Sequence, residues 1–496
     1  MTAEALTPRT TSAENTFSRK NKLPEILALS GYVALLTYAI PRHEPWADEA
    51  QAWQLARSVP IQQLFTHFLR EEGSPGLWHL LLAGLSWLHV TYSGYHWAAG
   101  IIATIGVALL IFVSPFPRSI RLALPFTFFF AFQYAVVARS YVLVPALMFC
   151  LALSWRRSPI VVALLLGLLG NVAAHVLMLS IGFAWVYLVE IWRGDRKVES
   201  RSHLYLAGGL VAILYSFALW TVLPHPSDLT YLEPYQQQFG LASKLATWVI
   251  RAFLSVSFAV MKPGILAIPL WIFIALRFSN SGRQYYLLPI VTFAMFSANH
   301  VNFWHAGLVI PTVVTLFWIA WPGIRQPQIS SALTISVACF IVMQWGWTIY
   351  AVRYHPYASA PETARFLAPR VTAGDNMALT YVDHDEMRAY NSIAIAPYFD
   401  HPIFLNQQSP FWLWRSNQNT PEQFKTAMAH NPSLVLAVFY GREKFDPAKH
   451  LIGPRMLFLR QQGYHLTHTF CAEKPEGFGW REETCDLVFE PESTIH

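Results

Sequence analysis

The chain has 496 residues, of which 13% are charged and 54% hydrophobic, with 19 Trp and 34 Phe. That is about half the roughly 25% charge of a soluble globular protein. It excludes a disordered chain and argues against a single water-soluble globule, because so much apolar surface calls for a bilayer as solvent. Residues 1–350 hold 22 basic and 13 acidic side chains and residues 351–496 hold 13 and 16, so the net charge of +6 is no nucleic-acid footprint. The basic excess sits in short loops between apolar runs, where it orients helices in a membrane.

Residues 1–22 are polar and carry Arg9, Arg19, Lys20 and Lys22, which fits a cytoplasmic tail. The run 23–41 is not followed by a small-residue cleavage site, so it reads as an uncleaved first span with residue 42 onward outside. Further apolar runs fall near 76–90, 95–114, 122–138, 141–155, 159–172, 175–192, 204–223, 246–261, 263–277, 285–299, 304–322 and 330–350. Counting every run as a span would leave Arg118/Arg121, Arg156/Arg157 and Arg193/Arg196/Lys197/Arg201 outside.

The run 76–90 is shorter than the ~20 residues a bilayer requires. The run 246–261 contains Arg251 and ends at Lys262-Pro263-Gly264. Laying both along the outer interface yields eleven spans, with fifteen Lys/Arg of the membrane half inside and seven outside. The expected fold is an α-helical polytopic membrane protein: a tail at 1–22, a membrane domain at 23–350 with its first external loop at 42–94, and an external soluble domain at 351–496.

That last region alternates helix-like segments over 361–370, 420–430 and 455–462 with strand-like segments over 376–382, 433–440 and 464–471, the pattern of a small α/β domain. Its Cys471 and Cys485 suit a disulfide in an oxidising compartment such as a bacterial periplasm, although spacing alone does not decide the pairing. Cys150 and Cys339 lie in apolar runs and read as packing residues. The absence of any Asn-X-Ser/Thr site with X other than Pro leans toward a bacterial source, hence an inner membrane, and the basic flank of the first run makes the N-terminus cytoplasmic. No internal repeat is present.

Between Glu25 and Glu190 the only carboxylates are Glu44, Asp48, Glu49, Glu71 and Glu72, all in the first external loop. The stretch from Pro45 to Arg57 reads as a helix opening at Pro45, with Asp48 and Glu49 in its first turn. Acids there are good first-turn residues. They also place a carboxylate at headgroup level, where it can serve as a general base. Glu71-Glu72-Gly73-Ser74-Pro75-Gly76-Leu77-Trp78-His79 reads as a turn into an interfacial helix, its acids serving as caps or as site residues.

The order of one span, an Asp-Glu loop, a Pro-containing turn, a short amphipathic helix, many spans and an external tail resembles the GT-C superfamily of polytopic glycosyltransferases. Protein O-mannosyltransferases, lipid A aminoarabinose transferases and their bacterial relatives are the nearest comparison. Asp48-Glu49 matches the family's acidic pair, Ala138-Arg139-Ser140-Tyr141 an Arg-x-Tyr element, and His305-Ala306-Gly307 a His-x-Gly element. Gly73-Ser74-Pro75 stands where many members carry His-Pro or Lys-Pro.

The resemblance implies inverting transfer of a sugar from a polyprenyl-phosphate donor to a lipid, glycan or protein acceptor on the external face. Asp48 would be the base and Glu49 a supporting acid. A phosphate leaving group needs no general acid, only positive charge or a metal to hold it. The external cations available for it are Arg139, Arg251, Lys262 and His305, with Tyr141, Glu72 and His79 as further substrate contacts. Each has an ordinary structural role open to it, such as snorkelling for Arg139 or packing for His305 and His175. A divalent metal is compatible with acids and histidines on one face, yet no tight i, i+4 ligand spacing occurs.

Two other classes compete with this reading. A transporter or lipid flippase would place ionisable groups at mid-depth and show repeated halves. An anchored transferase with its chemistry in the tail would have to use Asp383-His384-Asp385-Glu386, which reads more simply as a solvated loop.

Overall fold

A computed structural model describes residues 22–196, 200–223, 241–298, 302–321, 331–353, 358–382, 393–407, 409–411, 420–441, 443–475 and 481–492. The polar tail at 1–21, His300 and the acidic cluster at 383–386 lie outside these residues. The chain is a helical bundle followed by a small α/β domain.

The bundle helices are α1 (Leu23–Ala39), α2 (Ala47–Ser58), α3 (Leu77–Trp87), α4 (Tyr92–Val113), α5 (Leu143–Ser154), α6 (Pro159–Gly170), α7 (Ala174–Trp192), α8 (Arg201–Val222), α9 (Leu241–Ser257), α10 (Ile268–Asn280), α11 (Leu288–Ser297), α12 (Val309–Ala320) and α13 (Ser331–Arg353). Among the described residues, six helical stretches are long and apolar enough to cross a membrane: Leu23–Arg42, Tyr92–Val113, Ala174–Trp192, Arg201–Val222, Phe303–Ala320 and Thr334–Arg353. The α3 helix, at 11 residues, is too short to do so.

The apolar run 122–138 is not one helix. It forms a short helix at Arg118–Ala123, a 3-10 turn at Leu124–Phe126 and a wide π-type turn at Phe129–Gln133. Pro125 supplies no N–H to a helical ladder. The irregular backbone is buried within the protein, where neighbours satisfy it. Tyr32 donates its hydroxyl to the Phe130 carbonyl at 2.7 Å. Phe129 packs directly on Gly307, where an added Cβ would lie 1.9 Å from its ring.

Polar contacts gather the helix ends into two sets. At one end Glu25 pairs with Arg118 (2.8 Å) and Arg121 (3.3 Å). Buried Glu190 at the same end takes Arg196 (2.8 Å), the Trp155 indole N–H (3.0 Å) and the Tyr286 hydroxyl. At the other end the Gly73–Pro75 turn is stitched to the α6–α7 connection: Ala174 N–H donates to the Gly73 carbonyl (3.1 Å) and Ser74 Oγ to the Val172 carbonyl (2.9 Å). Glu44 at that end accepts from the Ala358 N–H, ahead of the C-terminal domain (3.3 Å).

The C-terminal domain, expected from the sequence to be soluble, contains α14 (Ala360–Ala373), β1 (Met377–Tyr381), α15 (Pro421–Met428), β2 (Leu434–Gly441), α16 (Pro454–Gln461), β3 (Tyr464–Pro475) and β4 (Arg481–Pro491). The sheet order is β1-β2-β4-β3, with β1 parallel to β2 and the other pairs antiparallel. Strand alternation builds two cores. Leu434, Leu436 and Val438 face α14, and Val435, Ala437 and Phe439 face α15 and α16. Cys471 and Cys485 are paired across β3 and β4 as a disulfide.

Asp486 lies on the α14 face of β4, fully enclosed, and accepts a hydrogen bond from Thr363 Oγ1 at 2.7 Å. Burial pushes its carboxyl up to about 6, only partly offset by Thr363 and Ser359. The folded state therefore binds this proton more tightly than the unfolded chain. Its contribution is most favourable below pH 4 and is lost as pH rises through 6, on the order of 3 kcal/mol in all. Asp486→Asn is expected to raise the unfolding midpoint of the detergent-solubilised chain at pH 7 and to leave it nearly unchanged at pH 4. Equal midpoints for variant and parent at pH 7 would contradict this.

Candidate active site

The loop between α1 and α4 folds over one end of the bundle and presents α2. Trp46, in extended backbone, caps this helix, and Glu49 reaches back to the Trp46 N–H at 3.3 Å. The helix thus starts at Ala47, two residues after the expected Pro45, and stops before Val59-Pro60, where the residue preceding proline leaves helical space.

The two adjacent acids have different surroundings. Glu49 is fully buried. Its oxygens lie 2.9 and 3.1 Å from His43 Nε2 and 3.4 Å from His96 Nε2, and Oε1 accepts from the Ala138 N–H at 2.8 Å. Burial would raise its carboxyl, but the two imidazoles hold it well below the usual range. The His96 Nδ1–H donates to the Tyr92 carbonyl (3.0 Å), and the Tyr95 hydroxyl donates to the Glu49 carbonyl (3.3 Å). Glu49 therefore fastens α2 to α4 and to the turn before Arg139. Sealed on every side, it has no route to a substrate.

Asp48 faces the other way. Its side chain is 19% exposed and pairs with Arg139 Nη1 at 2.7 Å. The Arg139 guanidinium carbon lies 5.5, 5.6 and 5.7 Å from the ring centres of Trp46, Tyr141 and Trp304, a cationic group framed by aromatic faces. Trp46 and Trp304 meet edge to face at 5.6 Å, and the Tyr134 hydroxyl fixes the Trp304 carbonyl at 2.6 Å. Tyr141 touches His305 (5.6 Å between rings), and His305 stacks on His175 at 3.9 Å. His305 Nδ1 accepts from the Asn302 N–H at 3.3 Å, which leaves Nε2 as the ring nitrogen available to donate.

Asp48, Arg139, Tyr141 and His305 thus form one cluster. Lys262 approaches its edge, with Nζ 4.8 Å from the ring centre of Phe303, the residue before Trp304. Glu72 is joined to the same helix through Gln51 (3.0 Å), one turn on from Asp48. His79 is buried in α3, where burial pushes its imidazole down to about 4, so it is neutral at pH 7 and is not part of the cluster. Arg251 stands exposed on α9 and joins no ion pair among the described residues.

Sequence reasoning missed four groups: Trp46 and Trp304, which frame the cation, and His43 and His96, which clamp Glu49. Trp46 and His43 flank the acidic pair closely enough to have been candidates. His96 and Trp304 carry no local signal, because only the fold brings them in.

The metal expectation finds no ligand set here. Among the described residues, one trio of ligating atoms comes together, Cys471, Glu483 and Cys485, and its two sulfurs are bonded to each other. Chemically, the Asp48 cluster offers a partly exposed carboxylate that can accept a proton and a planar cation that can hold phosphate oxygens. No protein-family model matches the chain, and comparison with curated proteins likewise finds no match.

Proposed function

We propose that the protein is an integral membrane glycosyltransferase of the GT-C type, which moves a sugar from a polyprenyl-phosphate donor to an acceptor on the external face. One observation carries this reading: Asp48, an acid of the first external loop, is partly exposed and paired with Arg139, which stands within an aromatic frame.

In this mechanism the donor phosphate takes the Arg139 guanidinium in exchange for the Asp48 carboxylate. The released carboxylate accepts the proton of the acceptor hydroxyl or amine as that atom attacks the sugar C1. The C1–O bond to phosphate breaks on the opposite side, giving inversion. Polyprenyl phosphate departs as a stable anion and needs no proton from the protein. The aromatic faces of Trp46, Tyr141 and Trp304 suit the apolar face of a pyranose. Arg139 and Tyr141 bind donor in this reading, with His305 and Lys262 at the edge of the same cluster.

The topology that goes with it has eleven passes, the short and irregular segments included. The basic end with Arg118, Arg121 and Arg196 is cytoplasmic, and α2, α3, α9 and the soluble domain are outside. A disulfide in that domain fits the oxidising periplasm of a bacterium.

Proteoliposomes holding a labelled polyprenyl-phosphate sugar, supplied with an envelope fraction as acceptor source, test the reaction. The expected result is consumption of donor with release of polyprenyl phosphate. Donor that changes leaflet but stays intact would identify a flippase and overturn the proposal.

A further inference from the structure

The soluble domain is in contact with the helix that carries the acid. Ala50, fully buried, belongs to the core formed by Ala360, Ala364, Leu367 and Leu379 of that domain. Asp48 and Ala50 are two residues apart, roughly 200° around the helix. The domain therefore backs α2 on the face turned away from the acid.

Two side chains extend this contact. Arg57, in the last turn of α2, donates from Nη2 to the Phe399 carbonyl at 3.1 Å. Tyr398 sets its ring edge-on to Tyr92 at 5.5 Å. Tyr92 in turn lies 5.4 Å from the His96 ring, and His96 faces Glu49. A continuous path of packed groups thus runs from the soluble domain to the residue beside Asp48. A domain that merely capped the bundle would have no need to share its core with this helix.

We infer that the soluble domain sets the orientation of α2, with Tyr398 and Arg57 as positioning residues for the Asp48 carboxylate. This rests on the proposed glycosyl transfer. Neither residue touches Arg139, so loss of either should leave donor binding intact while misplacing the base. Misplacement by about an ångström costs up to roughly 10²-fold in rate.

The test uses the full chain in proteoliposomes and separates kcat from donor KM. Tyr398 is 40% exposed, so its truncation opens no sealed cavity. Tyr398→Ala is expected to lower kcat about tenfold or more with donor KM within about twofold. Tyr398→Phe, which keeps the ring, should recover kcat to within about twofold of the parent. Arg57→Gln should show the same selective loss of kcat and serves as the deciding variant if Tyr398→Ala fails to assemble. An intact Cys471–Cys485 bond, read as the mass shift on reduction, reports that the domain has folded.

Parent-like kcat in Tyr398→Ala and Arg57→Gln, an equal loss in Tyr398→Phe and Tyr398→Ala, or a change confined to KM would each overturn the inference. Loss of transfer in Asp48→Asn together with parent-like kcat in these variants removes the positioning role alone. Full transfer in Asp48→Asn removes the base assignment and this inference with it.

Discussion

Asp48→Asn is expected to lower glycosyl transfer by about 10²–10⁴-fold, the range of a lost general base. Asparagine keeps the shape of the side chain and can still offer its carbonyl oxygen to Arg139, which the carboxylate meets at 2.7 Å. It does not accept a proton from an attacking hydroxyl. The variant should insert, keep its disulfide and bind donor at least as tightly, because the phosphate no longer displaces a carboxylate from the guanidinium. A loss of rate with donor KM unchanged or lowered is therefore the signature, measured in proteoliposomes with labelled donor. Undiminished turnover would dispose of the mechanism.

Glu49→Ala should act through stability. The substitution leaves two imidazoles and the N–H groups of Trp46 and Ala138 facing a cavity in a fully buried position. Removing one partner of a buried charge cluster typically costs roughly 3–5 kcal/mol. Thermal unfolding of the solubilised protein should show a clear fall in midpoint, with transfer lost as α2 detaches. Glu49→Gln should recover little, since its amide would turn hydrogen donors toward N–H groups that already donate. A midpoint equal to the parent's in Glu49→Ala would show that the clamp does not hold the helix.

The contrast between these two variants follows from helix geometry. Adjacent residues point roughly 100° apart. Asp48 and Glu49 read alike in a sequence, yet one side chain opens toward Arg139 and the other enters the core. The concentration of acids in the first loop and the helix that bears them were legible because composition and turn chemistry act locally, whereas the candidacy of Arg139, Tyr141 and His305 came with the resemblance to the GT-C superfamily. The pairing of Asp48 with an arginine 91 positions later was not. It depends on how the chain returns to the same end of the bundle.

Similar reasons govern the fold. The helices at 360–373, 421–428 and 454–461 and the first three strands fall close to the expected segments, since each has a periodic apolar face and a Pro or Gly boundary. Strand β4 was missed: Arg481, Glu482 and Glu483 open it with charge, and its apolar alternation shows only from Cys485 onward. The run 122–138 has no period to read, being apolar on every side. Its departure from a single helix comes from Pro125 and from the contacts of Tyr32, Tyr134 and Gly307.

The central claim is that donor phosphate displaces Asp48 from Arg139 and thereby frees the base. The most direct measurement is an electron-microscopy structure of the chain in a lipid nanodisc with a non-reactive polyprenyl-phosphate sugar. The account predicts phosphate oxygens on the Arg139 guanidinium, the sugar against Trp46 or Trp304, and the Asp48 carboxylate turned toward the face of C1 opposite the phosphate. A donor bound elsewhere, with Asp48 and Arg139 still paired, would contradict it.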